Sequence, residues 1–207
     1  MHVALLSGGK DSYYAVCRSG LNIDLGLVIR YEFPRPSPHT LNLGKTIETL
    51  LLSGIPITVA RLSKGKELEE TVRILRKLRA DTIIAGDVHI EDHLKYMEKV
   101  AKEAGATLVE PLWGLDPLEA LYEEVGVGIK PLIIGCGEGL DGWLGTILGG
   151  DSIDEFVYEA RRLGIDPLGE HGEYHTIVVD GPLHASPLRF KILGTEDYGN
   201  YKVLRLV

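Results

Sequence analysis

Amide side chains are scarce in this sequence. Glutamine is absent, and asparagine occurs only as Asn22, Asn42 and Asn200. Because these thermolabile residues tend to be depleted in hyperthermophiles, their scarcity supports a thermophilic source as a hypothesis.

Paired cysteines are also missing. Cys17 and Cys136 lie far apart, and no CxxC pair occurs. This argues against a zinc site and against a dithiol redox site. We expect two reduced thiols, as in an intracellular protein.

Long apolar runs and an excess of positive charge are absent as well. No run approaches the roughly 18 apolar residues of a membrane span, and the N-terminus does not resemble a signal peptide. We therefore expect a cytoplasmic protein without a membrane partner. The net charge of −8 argues against nucleic acid and favours small molecules or another protein as partners.

Short apolar segments alternate with amphipathic ones through the first half of the chain. The alternation predicts a parallel, doubly wound five-stranded sheet with helices on both faces, an α/β fold. The predicted strands are residues 2–6, 24–30, 57–61, 82–85 and 107–109, and the predicted helices are residues 11–18, 40–52, 67–78 and 91–103.

The alternation loosens near Trp113. Helices are predicted at residues 116–125 and 153–163, and strands at residues 131–136, 176–180, 188–193 and 201–206. These elements predict a smaller C-terminal α+β domain. The predicted division is therefore 1–113 for the first domain and 114–207 for the second.

A glycine loop, SGGKDS, follows the first strand and precedes the first helix. Glycines let the backbone approach an anion closely, and helix N-terminal amides and the helix dipole attract phosphate. Lys10 adds positive charge, and its neighbour Asp11 excludes a Walker A loop. The alternative is a tight turn with an Asp or Ser helix cap. The residues are Ser7, Gly8, Gly9, Lys10, Asp11 and Ser12.

This loop resembles the PP-loop of the N-type ATP pyrophosphatases. The resemblance implies a HUP-like sheet of strand order 3-2-1-4-5 that binds ATP at the carboxyl ends of its strands. It also implies cleavage of ATP to AMP and pyrophosphate, usually with Mg2+.

A second block, GEHGEYHT at residues 169–176, is followed by VDGPL at residues 179–183. Together with the loop, the Gly86-Asp87 turn and the PLW segment at residues 111–113, it resembles the diphthine–ammonia ligase family. The resemblance implies that ATP activates the carboxylate of diphthine on translation elongation factor 2 as an acyl-adenylate. Ammonium then supplies the nitrogen of the amide, diphthamide.

The resemblance also implies roles for individual residues. The glycine loop and Asp87 would bind ATP, and Asp11 would bind Mg2+. The catalytic residues would be Lys10, Glu170 and Glu173. The acceptor would be bound by Glu170, Gly172, Glu173, Tyr174, His175 and Thr176. A stretch similar to His39-Thr40-x-Asn42 occurs near the ATP site of relatives.

Simpler roles remain open for several of these residues: a helix cap for Asp11, a turn for Asp87, and core packing for Tyr174 and His175. Three other functions also remain open. They are a ligase for a small-molecule carboxylate, such as a corrinoid-pathway intermediate, a tRNA-modifying enzyme, and a non-catalytic ATP-binding protein. A homodimer is compatible with the sequence.

Overall fold

The computed structural model describes residues 1–31 and 37–207. Strands and helices alternate along the first half, as the apolar pattern predicts. The elements of this half are β1 (His2–Leu5), α1 (Lys10–Ser19), β2 (Leu25–Arg30), α2 (Pro38–Leu41), α3 (Leu43–Leu52), β3 (Ile57–Arg61), α4 (Glu67–Leu78), β4 (Thr82–Ile84), α5 (Glu91–Ala104) and β5 (Thr107–Val109).

The second half of the chain holds two α-helices and four strands. A 3-10 turn, Asp141–Trp143, follows the first of these strands. The elements are α6 (Pro117–Gly126), β6 (Lys130–Gly137), α7 (Asp151–Leu163), β7 (Tyr174–Asp180), β8 (Ile192–Asp197) and β9 (Tyr201–Leu206).

Strands β1 to β5 form a sheet of order β3-β2-β1-β4-β5 in which every pairing is parallel. The predicted strand order and the α/β class are confirmed. Neighbouring residues on β1 face opposite sides: Val3 packs with α4 and α5, whereas Ala4 packs with α1 and α3. Both faces are therefore buried, and the order reverses at β1 and β4, where open α/β sheets bind ligands.

The second sheet has order β7-β6-β9-β8 and is antiparallel. Its apolar side chains join those of α1 and α3 in one core, in which Leu50, Ile133 and Val178 are buried together. The backbone of Val178 also donates to the carbonyl of Gly8 at 2.9 Å. This core fixes β7 beside the glycine loop.

Two predicted elements differ from the structure. The predicted strand at residues 188–193 is displaced, because the sheet strand is β8, which shares only Ile192 and Leu193 with it. Leu188 lies outside β8, but it is buried and its amide donates to the carbonyl of Val179 on β7 at 2.7 Å. The predicted helix at residues 40–52 is broken at Asn42, whose side-chain amide donates to Leu204 and whose oxygen accepts from Leu206.

Candidate functional site

The glycine loop of residues 7–12 turns directly from β1 into α1. Gly8 has φ +83°, in the left-handed region, and a Cβ there would lie 3.2 Å from Thr46 Cγ2. Gly9 is the N-cap of α1, and no side chain caps it. The helix cap considered as an alternative role for Asp11 is therefore not formed. The amides of Gly9 and Lys10 donate to Ser7 Oγ and Thr176 Oγ1, whereas the next amides and the dipole of α1 can still attract an anion.

The second block of the sequence, residues 169–176 and called the late block below, lies against this loop. The backbone amide of Lys10 donates to Thr176 Oγ1 at 3.2 Å, although the two residues are far apart in sequence. Gly9 is closely confined too, because a Cβ on it would lie 3.3 Å from the carbonyl oxygen of Thr176. The two motifs that the sequence singled out thus form the walls of one cleft.

The cleft has two lobes. The first has a volume of about 460 Å³ and is bordered by the late block, His39 and Thr40. The second has a volume of about 470 Å³ and is bordered by Gly86, Asp87 and Met97. The residues common to both lobes are Ser7, Asp11, Ile29, Tyr31, His93 and Glu170.

The ammonium of Lys10 is held below the loop. Its side chain is 1% exposed; Nζ donates to the carbonyl of Leu168 at 2.9 Å, contacts Asp11, and lies 3.5 Å from Glu124 Oε2. Burial would lower the pKa of Lys10, but the carboxylates of Asp11 and Glu124 hold it well above the usual value. Burial raises the pKa of Glu124, and the positive charge of Lys10 acts in the opposite direction. Lys10 therefore stays positively charged under the loop.

Three carboxylates, Asp11, Asp87 and Glu170, border the second lobe, and a fourth, Glu110, contacts Asp87. Glu170 Oε2 accepts from the amide of Val88 at 3.3 Å, and Glu110 Oε2 accepts from the amide of Asp87 at 3.2 Å. Burial, and then Asp11, raises the pKa of Glu170 to about 7. Burial, and then Asp87, raises the pKa of Glu110 to about 8. The pKa of Asp87 is also raised by burial. Such a cluster can bind a cation or hold a proton.

Two imidazoles line the first lobe. The rings of His39 and His175 lie 5.6 Å apart, and His175 Nδ1 is 2.5 Å from the hydroxyl of Tyr201. Burial, and then His175, lowers the pKa of His39 to about 3, and burial lowers that of His175 to about 4. Both rings are therefore neutral near pH 7, and a neutral imidazole can donate one hydrogen bond and accept another.

Other predicted residues of the late block serve the loop itself. Tyr174 borders the cleft, but its hydroxyl donates to the carbonyl of Pro167 at 2.8 Å and its ring packs on Phe156. Glu173 Oε2 accepts from the amide of His171 at 3.0 Å. Among the described residues that border either lobe, Glu173 does not occur. The structure thus brings Glu170, but not Glu173, to the cleft.

Sequence reasoning missed Glu110, Glu124 and Tyr201. One signal was present for Glu124, which shares the buried face of α6 with Ala120 and Leu121. A charged residue at an apolar helical position commonly has a buried partner. Glu110 and Tyr201 have no comparable pattern, because their partners come from distant segments.

Comparison with known families agrees with these motifs. Residues 1–108 match the model of the diphthamide synthase N-terminal domain, and residues 116–203 match that of the C-terminal domain. The chain belongs to the diphthamide synthase family. Membership of this family supports a ligase activity in which ATP drives the formation of an amide.

Two further similarities were found. The chain is 24% identical over 212 residues to the diphthine–ammonia ligase of Rattus norvegicus, covering 87% of this chain and 79% of the relative. A solved chain from Methanocaldococcus jannaschii, titled a predicted subunit of tRNA methyltransferase, aligns with a TM-score of 0.45 and 19% identity. That alignment covers 87% of this chain and 96% of the other. In the part of the chain that the structure describes, no helix combines the length and apolarity of a membrane span.

Proposed function

We propose that this protein amidates diphthine on translation elongation factor 2 to give diphthamide. An oxygen of the diphthine carboxylate attacks the α-phosphorus of ATP, and pyrophosphate leaves. The nitrogen of ammonia then attacks the acyl carbon, AMP leaves, and the extra proton passes to a base of the cleft. The products are the amide, AMP and pyrophosphate.

The observation that carries this proposal is the contact between the two motifs. The amide of Lys10 donates to Thr176 Oγ1, and the amide of Val178 donates to the carbonyl of Gly8. These contacts hold the loop that we assign to phosphate and the block that we assign to the acceptor side by side. Transfer of an adenylyl group needs both substrates in one cleft with their reacting atoms close together.

We assign the phosphates of ATP to the loop of residues 7–12, above the charged Lys10. A buried positive charge and helix-terminal amides stabilise the negative charge that develops on departing pyrophosphate. The adenosine fits the second lobe, where Leu27, Tyr96 and Met97 offer apolar and aromatic surface.

We assign the acceptor carboxylate and ammonium to the first lobe. His175 and Thr176 provide hydrogen-bonding groups there, and Glu170 lies where both lobes meet. A carboxylate at this junction can bind ammonium and accept the proton that it must lose before attack. Gly172 leaves room beside them, since its α-carbon carries no side chain.

The cluster of carboxylates fits Mg2+. This ion prefers oxygen ligands and usually shares them with substrate phosphates. Asp11 borders the loop, Asp87 follows β4, and Glu110 Oε1 is buried without a hydrogen-bond partner among the described residues. Asp11 and Asp87 would hold the ion. When bound, it would neutralise charge on the phosphates of ATP.

The test supplies the purified protein with ATP, ammonium and diphthine-bearing elongation factor 2. We expect AMP, pyrophosphate and the amide, the last measured by mass spectrometry of the modified peptide. ATP binding without release of AMP would contradict the ligase and favour a nucleotide-binding protein. AMP formation with a small-molecule carboxylate or tRNA, but not with this factor, would contradict the proposed acceptor.

A further inference from the structure

Two histidines and an aspartate meet outside the cleft residues assigned to ATP. His89 follows the Gly86-Asp87 turn, Asp166 follows α7, and His171 belongs to the late block. One ligand atom from each lies within 4.8 Å of the other two. His89 Nε2 is 3.6 Å from Asp166 Oδ2, and the rings of His89 and His171 are 5.9 Å apart.

Asp166 provides a second, independent observation. Its side chain is only 10% exposed, and its Oδ1 accepts from the amide of Leu168 at 2.9 Å. Its Oδ2 is buried and has no hydrogen-bond partner in the described chain. A buried carboxylate oxygen without a partner is costly, and this one faces the Nε2 of His89. A cation between them would satisfy it.

We propose that His89, Asp166 and His171 bind one divalent transition-metal ion of the Zn2+ class. Imidazole nitrogens suit this class, whereas Mg2+ and Ca2+ prefer oxygen ligands. Donors that sit about 2.1 Å from a tetrahedral ion lie roughly 3.4 Å apart, close to the observed separation of His89 and Asp166. Both histidines are exposed, so their rings can rotate to close the remaining gap.

The ion would join two segments that form the cleft. Val88, next to His89, already donates to Glu170, next to His171, at 3.3 Å. Metal ligands on both sides of this bond would hold the late block against the turn that carries Asp87. Three protein ligands also leave a fourth coordination position for water or another donor.

The experiment uses the full chain after treatment with a chelator, without ATP. Calorimetric titration with Zn2+ should give one ion per chain, and Co2+ should give the visible absorption of a site with mixed nitrogen and oxygen ligands. The melting temperature should rise with Zn2+. His89→Ala, His171→Ala and Asp166→Asn should each weaken Zn2+ binding at least about tenfold, since even outer-shell changes have this effect.

The matched control is His93→Ala, an exposed histidine nearby whose Nδ1 lies 3.4 Å from Asp87 Oδ1. It should bind Zn2+ as the wild type does. The proposal is overturned if the wild type shows no saturable binding, if the three ligand variants bind normally, or if His93→Ala alone removes binding. A metal-free variant whose melting temperature equals that of the metal-free wild type is folded. Because no turnover is measured, these outcomes are independent of the proposed amidation.

Discussion

The glycine loop and the late block form opposite walls of the cleft by different physical means. In the loop, backbone conformation decides: Gly8 requires positive φ, and Gly9 leaves the end of α1 uncapped. In the late block, side chains decide which glutamate reaches the cleft: Glu173 binds its own loop, while Glu170 reaches the amide of Val88. The loop is therefore specified by a short local sequence, whereas the late block needs tertiary partners.

The largest expected effect tests the ion pair under the glycine loop. Glu124→Ala leaves the ammonium of Lys10 buried with one carboxylate fewer, and we expect the free energy of unfolding to fall by about 3 kcal/mol. Glu123→Ala on the same helix removes a partly exposed pair with Arg18 and the acceptor of the Tyr14 hydroxyl, and should cost about 1 kcal/mol. Urea unfolding measures both values. Equal losses of unfolding free energy would show that the buried contact between Glu124 and Lys10 stabilises the protein no more than the contacts of Glu123 do.

The late block contains a matched pair of glutamates for the second test. Glu170→Gln removes the carboxylate at the junction of the lobes, and we expect amide formation to fall about 100-fold, the usual contribution of a general base. Adenylation, measured as pyrophosphate release, should fall less.

Glu173→Ala removes the acceptor for the amide of His171. We expect amide formation to change little and the free energy of unfolding to fall by about 1 kcal/mol. If the rates of Glu173→Ala and Glu170→Gln fell equally, both glutamates would act in the chemistry, as the sequence predicts.

The third prediction concerns pH and the imidazoles of the first lobe. His39 has a pKa lowered to about 3 by burial, whereas in the unfolded chain it titrates near the ordinary value of about 6.5. Below that ordinary value the unfolded chain binds the proton and the folded chain does not. His39 therefore makes stability fall as the pH drops from about 6.5 toward its folded value.

The variant His39→Gln should lack this dependence. Between pH 6.5 and 5, we expect the wild type to lose about 1.6 kcal/mol more than the variant, because the slope approaches roughly 1.4 kcal/mol per pH unit below the ordinary pKa. Urea unfolding at the two pH values measures the difference. Identical pH profiles would mean that His39 is readily protonated in the folded protein.

The smallest effect probes how closely the turn after β4 approaches the glycine loop. A Cβ at Gly86 would lie 3.0 Å from the carbonyl oxygen of Asp11, which is backbone and cannot swing away. Gly86→Ala should displace the first turn of α1 and weaken ATP binding about tenfold. Gly44→Ala, in open space on α3, should leave ATP affinity unchanged. Calorimetric titration with ATP compares them, and equal affinities would contradict the close approach.

The local pattern of apolar residues was sufficient to predict much of the fold. The five parallel strands and their helices follow from alternating apolar runs, and their order follows from the resemblance of the loop to a known family. The strand at residues 188–193 was placed too early because its apolar residues suggested a strand, whereas β8 is mostly exposed and gives no apolar alternation. The division into domains 1–113 and 114–207 stays a prediction, and one core includes residues of both sheets.

The sequence by itself determined the strand–glycine loop–helix unit, because the conformation of a tight turn and the dipole of a helix are properties of neighbouring residues. Only the tertiary structure decided that Lys10 pairs with Glu124, that His39 meets His175, and that Glu170 and not Glu173 reaches the cleft. These contacts join residues distant in sequence, and burial, which shifts their pKa values, exists only once the two sheets have packed together.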